Sequence, residues 1–168
     1  MSKDSPNENL LFIVNELKNY FDSNDWMYEY DAEQQCFTGG ISLDGPLGST
    51  NFIVFAHEDH AVCYHILPVS AKIKERPLQA EFLTRVNYNL ARGCFEMDFS
   101  DGEIRYKHRI SLADIKENSS EEISDMVYLG CFMLEQYGPG IVAISFGRTP
   151  EEAYLDCAAD DDEDGDKN

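Results

Sequence analysis

Hydrophobic and polar positions alternate most regularly between Pro77 and Ile110. The first part of this stretch has apolar residues at four-residue spacing, which predicts an amphipathic helix that begins at Pro77 and is closed by Gly93. Its apolar stripe consists of Leu78, Phe82, Leu83, Val86 and Leu90. The off-stripe position Asn87 is interpreted as a hydrogen-bond partner of a neighbouring strand, and recognition of a partner protein's backbone is the alternative.

After Gly93 the pattern changes to period two, which predicts two strands joined at Asp101-Gly102. A two-residue turn at this dipeptide sets the register of the hairpin. The expected pairs are Phe99–Ile104, Met97–Tyr106, Phe95–His108, Asp98–Arg105 and Glu96–Lys107. Because each acid then faces a base, Glu96 and Asp98 are interpreted as a surface charge ladder rather than as paired catalytic carboxylates.

Three capping signatures predict further helices. They are Ser5-Pro6-Asn7-Glu8, Ser119-Ser120-Glu121-Glu122 and Thr149-Pro150-Glu151-Glu152. The first helix is expected to end near Ser23, the second to break at Gly138-Pro139-Gly140, and the third to end near Cys157. A short helical segment is expected over 141–146.

Four segments before Pro77 have the character of strands, at 26–30, 36–43, 51–57 and 61–67, with Pro68 ending the last. The third and fourth are apolar on both faces, which is typical of central strands covered by helices on one side and by something else, such as a second subunit, on the other. The predicted order is α-β-β-β-β-α-β-β-α-α. We therefore expect an α+β fold, an antiparallel sheet with helices packed mainly on one face.

Composition limits the class of protein. The 168 residues carry a net charge of −19, and about six of these charges lie in the acidic C-terminal stretch. We expect one domain over 1–157 and a disordered acidic tail over 158–168. Such acidity argues against binding nucleic acid or anionic membranes.

The sequence shows no signal-peptide pattern, and its five cysteines are scattered without a CxxC pair. Scattered cysteines of this kind are typical of reduced thiols, so we expect a cytoplasmic location.

Few residues suggest chemistry. His57 and His60, with the acids between them, are of metal-ligand type, but they flank a predicted hairpin turn. Cys63 and His65 share a strand face, yet adjacent strand positions do not provide the geometry of a nucleophile and its base. We expect no enzyme activity, no cofactor and no metal.

The segment FLTRVNYNLARGCFEMDFSDGEIRYKHRI resembles the YbjN family, which is described in general terms as bacterial regulators of sensory transduction. The similarity extends more weakly to SSEEI and GRTPEEAY. It implies a fold similar to type III secretion chaperones, which are small, acidic, cytoplasmic and often dimeric, and which hold extended segments of client proteins. The resemblance transfers no catalytic residue.

Pattern and resemblance together predict a non-enzymatic protein-binding module, chaperone-like or regulatory. It would act as a homodimer that holds an extended or basic segment of a partner protein. The predicted partner-binding residues, on the first helix and the outer faces of the central strands, are Phe12, Phe52, Val54, Cys63 and His65. The alternative is a small-ligand sensor or enzyme, with a pocket near the central strands lined by Tyr28, Tyr64, Tyr106 and His65.

Overall fold

The computed structural model describes residues 7–164, with side chains up to residue 159. It contains α1 (Glu8–Ser23), β1 (Tyr28–Asp31), β2 (Cys36–Ser42), β3 (Ser49–Ala56), β4 (His60–Ser70), α2 (Arg76–Asn87), β5 (Cys94–Met97), β6 (Glu103–Ser111), α3 (Leu112–Ser145) and α4 (Pro150–Asp164). The predicted element order and the α+β class are confirmed. The expected division into one domain and a tail stays a prediction.

The six strands form one antiparallel sheet in the order β1-β2-β3-β4-β6-β5. Helices α1 and α3 bury one end of a sheet face, and α2, α3 and α4 bury the other end of the same face. Side chains alternate between the two faces of a strand, so Phe52 and Val54 enter this core while Ile53 and Phe55 point away from it. We call the second side the open face.

Helix α1 begins at Glu8, and its N-cap is Asn7, whose side chain accepts a hydrogen bond from the Asn9 N–H at 2.9 Å. The Ser5-Pro6 part of the predicted cap lies outside the described residues. The helix turns Ile13, Leu17 and the other apolar residues of its stripe into the core, where it packs against α3.

Helix α2 is shorter than predicted, because it ends at Asn87 rather than before Gly93. Gly93, with φ of +62°, instead turns the chain into β5. The predicted apolar stripe is also partly wrong. Leu78 is 42% exposed, whereas Gln79 is buried and its Nε2 donates a hydrogen bond to the Ile141 carbonyl at 2.8 Å.

The β5–β6 register differs by two residues from the predicted one. Phe95 pairs with Tyr106 and Glu96 with Arg105, so the side chains within β5 keep their predicted faces but change their partners. Asp101 does not take a positive φ, and the two-residue turn is replaced by a longer loop that the Asp98 carbonyl closes by accepting the Gly102 N–H at 2.8 Å.

Hydrogen bonds from Ala71 and from Arg76, the first residue of α2, stabilise this longer loop. The Ala71 N–H donates to the Gly102 carbonyl at 2.8 Å, and the Arg76 guanidinium donates to the carbonyls of Phe99 and Ser100. Phe99 therefore lies in the loop, 58% exposed, and does not face Ile104. The tertiary contact thus outweighs the local preference of the Asp-Gly pair.

Strand β4 continues through Pro68 to Ser70, although the proline was expected to end it. The pairing of β4 with β6 becomes irregular between Ile66 and Ser70, so Pro68 occupies a place where the sheet does not require its missing N–H. Strand β1 begins at Tyr28, slightly later than predicted.

Helix α3 differs most from its prediction. It consists of two helical segments that meet at a kink at Asn118 (φ −152°, ψ 73°). The first begins at Leu112, where Ser111 and Asp114 form a capping box, and the second begins after Asn118, where the Ser119 signature predicts a helix start. The expected break at Gly138-Pro139-Gly140 is absent from this helix. The helix continues through Pro139, and a side-chain carbon at Gly138 or Gly140 would lie 2.4–2.5 Å from Leu47 or Phe82, so the two glycines allow α3 to pack closely against these side chains.

By length and composition alone, α3 could cross a membrane. In the fold it is mostly buried against the sheet and the other helices, as the core helix of a soluble protein is. Helix α4 has the predicted cap, since the Glu152 N–H donates to Thr149 Oγ1 at 3.2 Å. It continues to Asp164, beyond the expected end near Cys157.

The interpretation of Asn87 as a strand partner is confirmed. Its Nδ2 donates to the Phe95 carbonyl at 2.9 Å, and its Oδ1 accepts the Phe95 N–H at 2.8 Å. The amide of Asn87 thus pairs with the outer edge of β5 as a further strand would, and it protects that edge from other chains.

We expect Asn87→Ala to lower the free energy of unfolding by about 1–3 kcal/mol, because both bonds to Phe95 are lost at once. Urea denaturation followed by circular dichroism measures this change. The matched control is Asn89→Ala, which removes one exposed bond to Tyr154 and should cost less than about 1 kcal/mol. Equal losses in the two variants would contradict the proposed role of Asn87.

Candidate functional site

The open face is the candidate functional site. Its centre, which we call the apolar strip, lies on β3 and β4. The strip consists of Ile53, Phe55, Val62, Tyr64 and Ile66. All except Val62 remain partly exposed, although the solvent-facing side of an antiparallel sheet is normally polar. A partly exposed apolar surface on the uncovered face of a sheet is typical of a binding site.

Cross-strand pairing holds the strip together. Ile53 lies opposite Tyr64, and Phe55 lies opposite Val62. The rings of Phe55 and Tyr64 meet edge to face with centroids 6.2 Å apart. Such aromatic and β-branched pairs make the centre of the face stiff, which reduces the conformational entropy lost when a partner binds.

One side of the strip carries a row of three cations on β6, which we call the basic row: Arg105, Lys107 and Arg109. The Arg105 guanidinium lies over the Tyr64 ring, 4.3 Å from its centroid. Arg109 Nη2 is 3.4 Å from a carboxylate oxygen of Asp59 in the β3–β4 turn. The basic row therefore lies directly beside the apolar strip.

Glu96 on β5 joins two members of this row. It accepts a hydrogen bond from Arg105 Nε at 3.1 Å and another from the Lys107 ammonium. Partial burial raises the pKa of Glu96, but these two bonds outweigh burial and hold the pKa below its usual value. Glu96 is thus ionised and structural. Asp98, its predicted companion in the ladder, instead accepts the Ser100 N–H within the loop.

The opposite side of the open face is acidic. Glu29 and Asp31 lie on β1 at the edge of the sheet, and both are exposed. Going across the sheet, the open face therefore changes from acidic on β1 to apolar on β3 and β4 and to basic on β6.

Four of the five predicted partner-binding residues do not lie on a surface. Phe52, Val54, Cys63 and His65 are completely buried, because α1 and α3 cover the sheet face to which they belong. Phe12 on α1 is half-buried. The sequence pattern correctly grouped the four strand residues on one face, but it assigned the wrong face to the exterior.

Cys63 and His65 do meet in the core, with Sγ 3.6 Å from Nδ1. Burial raises the pKa of the Cys63 thiol well above its usual value and lowers the pKa of His65 to about 4. The pair is therefore a neutral thiol beside a neutral imidazole, whereas a nucleophilic cysteine needs the thiolate. The ring of His65 packs against Gly130, where a side-chain carbon would lie 2.1 Å from Nδ1.

His57 and His60 flank the β3–β4 turn as predicted, with stacked rings 4.4 Å apart. His60 Nδ1 lies 2.6 Å from a carboxylate oxygen of Asp59. Burial, followed by the neighbouring His60, lowers the pKa of His57. Among residues 7–164, no group of three or more histidine, cysteine, aspartate and glutamate side chains is arranged to hold a metal ion.

The residues of the alternative ligand pocket do not converge. Tyr64 is on the open face, whereas His65 and Tyr106 lie on the covered face. A cavity of about 530 Å³ does open beside β1, β2 and β3, and Tyr28, Gly39 and Ile53 are among the residues that line it.

The chain belongs to the YbjN family, since the family model, described as "Putative bacterial sensory transduction regulator", matches residues 14–142. Comparisons with curated proteins and with solved structures gave no match. The family is thus described as a regulator and not as an enzyme. The similarity to secretion chaperones that the sequence suggested stays a prediction.

The buried His65 predicts acid sensitivity. The pKa of His65 is about 4 in the folded chain and about 6.5 when unfolded, so the unfolded chain binds more protons between these values and stability falls as the pH falls through this window. Between pH 7 and pH 5 we expect a loss of about 2 kcal/mol from His65 alone. Urea denaturation at the two pH values measures it.

His65→Gln should abolish most of this difference, while the surface variant His60→Gln should retain it. The buried His108, whose pKa burial also lowers, leaves a smaller loss in the same direction in both variants. If wild type and His65→Gln lose equal stability between pH 7 and pH 5, the attribution to His65 is wrong.

Proposed function

We propose that this protein is a regulatory protein-binding module without catalytic activity. It acts as a homodimer, and the open face is the contact between the two copies. The observation that carries the proposal is the apolar strip, a partly exposed hydrophobic centre on a sheet whose other face is already covered. A second copy supplies the missing cover.

The distribution of charge supports a second copy as the occupant. Strand β3 lies midway between β1 and β6 in the sheet order, and each is about 10 Å away at ordinary strand spacing. A two-fold axis near β3 places the acidic edge of each copy, Glu29 and Asp31, over the basic row of the other. A self-complementary surface of this kind is what an isologous dimer requires.

The overall charge of −19 makes association through most other surfaces unfavourable. The strands carry four acidic and three basic side chains on the open face. The acids are Glu29, Asp31, Glu96 and Glu103, and the bases are the three cations of the basic row. This surface is therefore nearly neutral in an otherwise acidic protein, so two copies meet there with the least repulsion.

Regulation through binding also agrees with the family description and with the buried, neutral state of Cys63 and His65. A chaperone-like role, in which the dimer holds an extended or basic segment of another protein, belongs to the same proposal. So does a cytoplasmic location, which the five free cysteines support.

A small-ligand sensor is the second candidate, and the cavity of about 530 Å³ beside β1, β2 and β3 favours it. A thermal-shift screen with small molecules distinguishes the two functions. A compound that stabilises the chain and shifts the dimer to monomer would favour the sensor.

We expect wild-type protein to sediment as a dimer at micromolar concentration and Ile53→Lys to sediment as a monomer. The substitution places a charge near the two-fold axis, where it faces its own copy in the partner. The lysine stem can extend along the strand surface, so folding should be preserved. Sedimentation velocity over a range of concentrations measures the effect, and circular dichroism checks the fold.

Tyr128→Lys is the matched control, because it adds the same charge at a 54% exposed apolar position on α3, on the helical side of the molecule. This variant should remain dimeric. A wild-type protein that is monomeric throughout the micromolar range would contradict the proposed dimer. A dimer that Ile53→Lys leaves intact would contradict the open face as its interface.

A further inference from the structure

A groove on the helical side of the molecule has no role in the proposed dimer. It lies between the loop 88–92, α3 and α4, and encloses about 470 Å³. Its apolar lining includes Leu90, Leu129, Phe132 and Met133. Phe132 is 53% exposed, although α3 contributes many residues to the core, and a large exposed apolar side chain of this kind can mark a binding site.

Polar contacts fix the walls of this groove. Asn89 Nδ2 donates to the Tyr154 hydroxyl at 2.8 Å, which ties the loop to α4. Arg92 Nη1 is 2.8 Å from Asp125 Oδ2, which ties the same loop to α3 and compensates the arginine charge. The groove is thus a preformed apolar site without an uncompensated cation at its rim.

Helix α4 forms one wall and continues past the groove. Ala158 lines the groove, and the next helical residues after Ala159 are five consecutive acids at 160–164. Helix α4 contains no lysine or arginine. Negative charge at the C-terminal end of a helix is unfavourable because the helix dipole is negative there, so a cationic partner relieves this repulsion.

We propose that this groove binds a basic amphipathic segment of another protein. An apolar side chain of the segment fills the space beside Phe132, and its lysine or arginine residues complement the acidic composition of α4, which contains no basic residue. The inference rests on the proposed protein-binding function and names the partner's chemistry, but it does not require the dimer.

Other occupants fit the groove less well. Residues 1–6 and 165–168 contain only Met1 as a large apolar residue, so they cannot fill an apolar groove. A second copy carries the same net charge of −19, which opposes its association beside the acidic helix α4. Nucleic acid and anionic lipid are repelled by the same acids.

The probe is a synthetic amphipathic helical peptide with leucine and phenylalanine on one face and lysine on the other. Its binding to the full chain is measured by fluorescence anisotropy at low and high salt. We expect binding that weakens with salt, and no binding of the same peptide with glutamate in place of lysine.

Phe132→Ser should weaken binding of the lysine peptide by about tenfold or more. The Phe132 ring would become buried when the peptide binds, and aromatic side chains buried in this way contribute much of the binding energy. Tyr128→Ser is the matched control, one turn earlier on α3 and 54% exposed, but outside the groove; it should bind as wild type does. These exposed positions are not part of the core, and circular dichroism confirms the fold of both variants.

The acidic contribution is tested by Asp161→Asn, Asp162→Asn and Asp164→Asn together, against Glu33→Gln, Glu58→Gln and Glu117→Gln together. The first triple variant should bind several-fold more weakly and with less salt dependence, and the second should bind as wild type does. The monomeric variant Ile53→Lys should bind the peptide unchanged, which separates this inference from the proposed dimer.

Absence of lysine-peptide binding to wild type overturns the inference. Equal binding by Phe132→Ser and Tyr128→Ser overturns the groove as the site. Equal binding of the lysine and glutamate peptides overturns the basic character of the partner. Loss of binding in Ile53→Lys would show that the site depends on the dimer, contrary to what we infer.

Discussion

Helix α3 crosses the sheet where Gly130 meets the ring of His65, and this close contact determines how the rest of the molecule packs. Without a side chain at position 130 the helix can approach β4 and β6, so a single long helix contributes to both ends of the core. Helices α1 and α4 then pack against α3, and α2 completes the cover over β5. One face of the sheet is sealed in this way, and the other is left to solvent.

The same packing keeps Cys63 and His65 in their neutral forms. Cys63 and His65 lie under α3, where desolvation favours their neutral forms. The carboxylate of Glu96, which sequence alone could connect with acid–base chemistry, is held ionised by two cations. What remains available to partners is shape and charge: the apolar strip between acidic and basic margins on one side, and the groove beside the acidic helix on the other. Both are the surfaces on which the proposed binding functions rest.

Much of the fold could be predicted from local patterns, but the candidate site could not. Period-two alternation located the strands and grouped Phe52 with Val54, yet both faces of β3 and β4 are apolar and the pattern does not say which one the helices cover. The neighbouring strand β6 distinguishes them, since Ile104 and Tyr106 are buried while Arg105 and Lys107 are partly exposed. The pattern of β6 indicates which face of β4 is covered only when β6 is known to pair with β4.

By itself, the sequence determined the order and type of the elements, because helical and strand periodicities are local properties and because caps such as Thr149 with Glu152 close within one turn. It also indicated a role for Asn87, a polar residue beside an apolar stripe that needs a partner, and the bonds to Phe95 confirmed that role. Only the tertiary structure decided the register of the β5–β6 hairpin, the passage of α3 through Pro139 and the face left open. In each case contacts between residues distant in sequence, such as Arg76 with the hairpin loop and Phe82 against Gly140, outweighed the local preference.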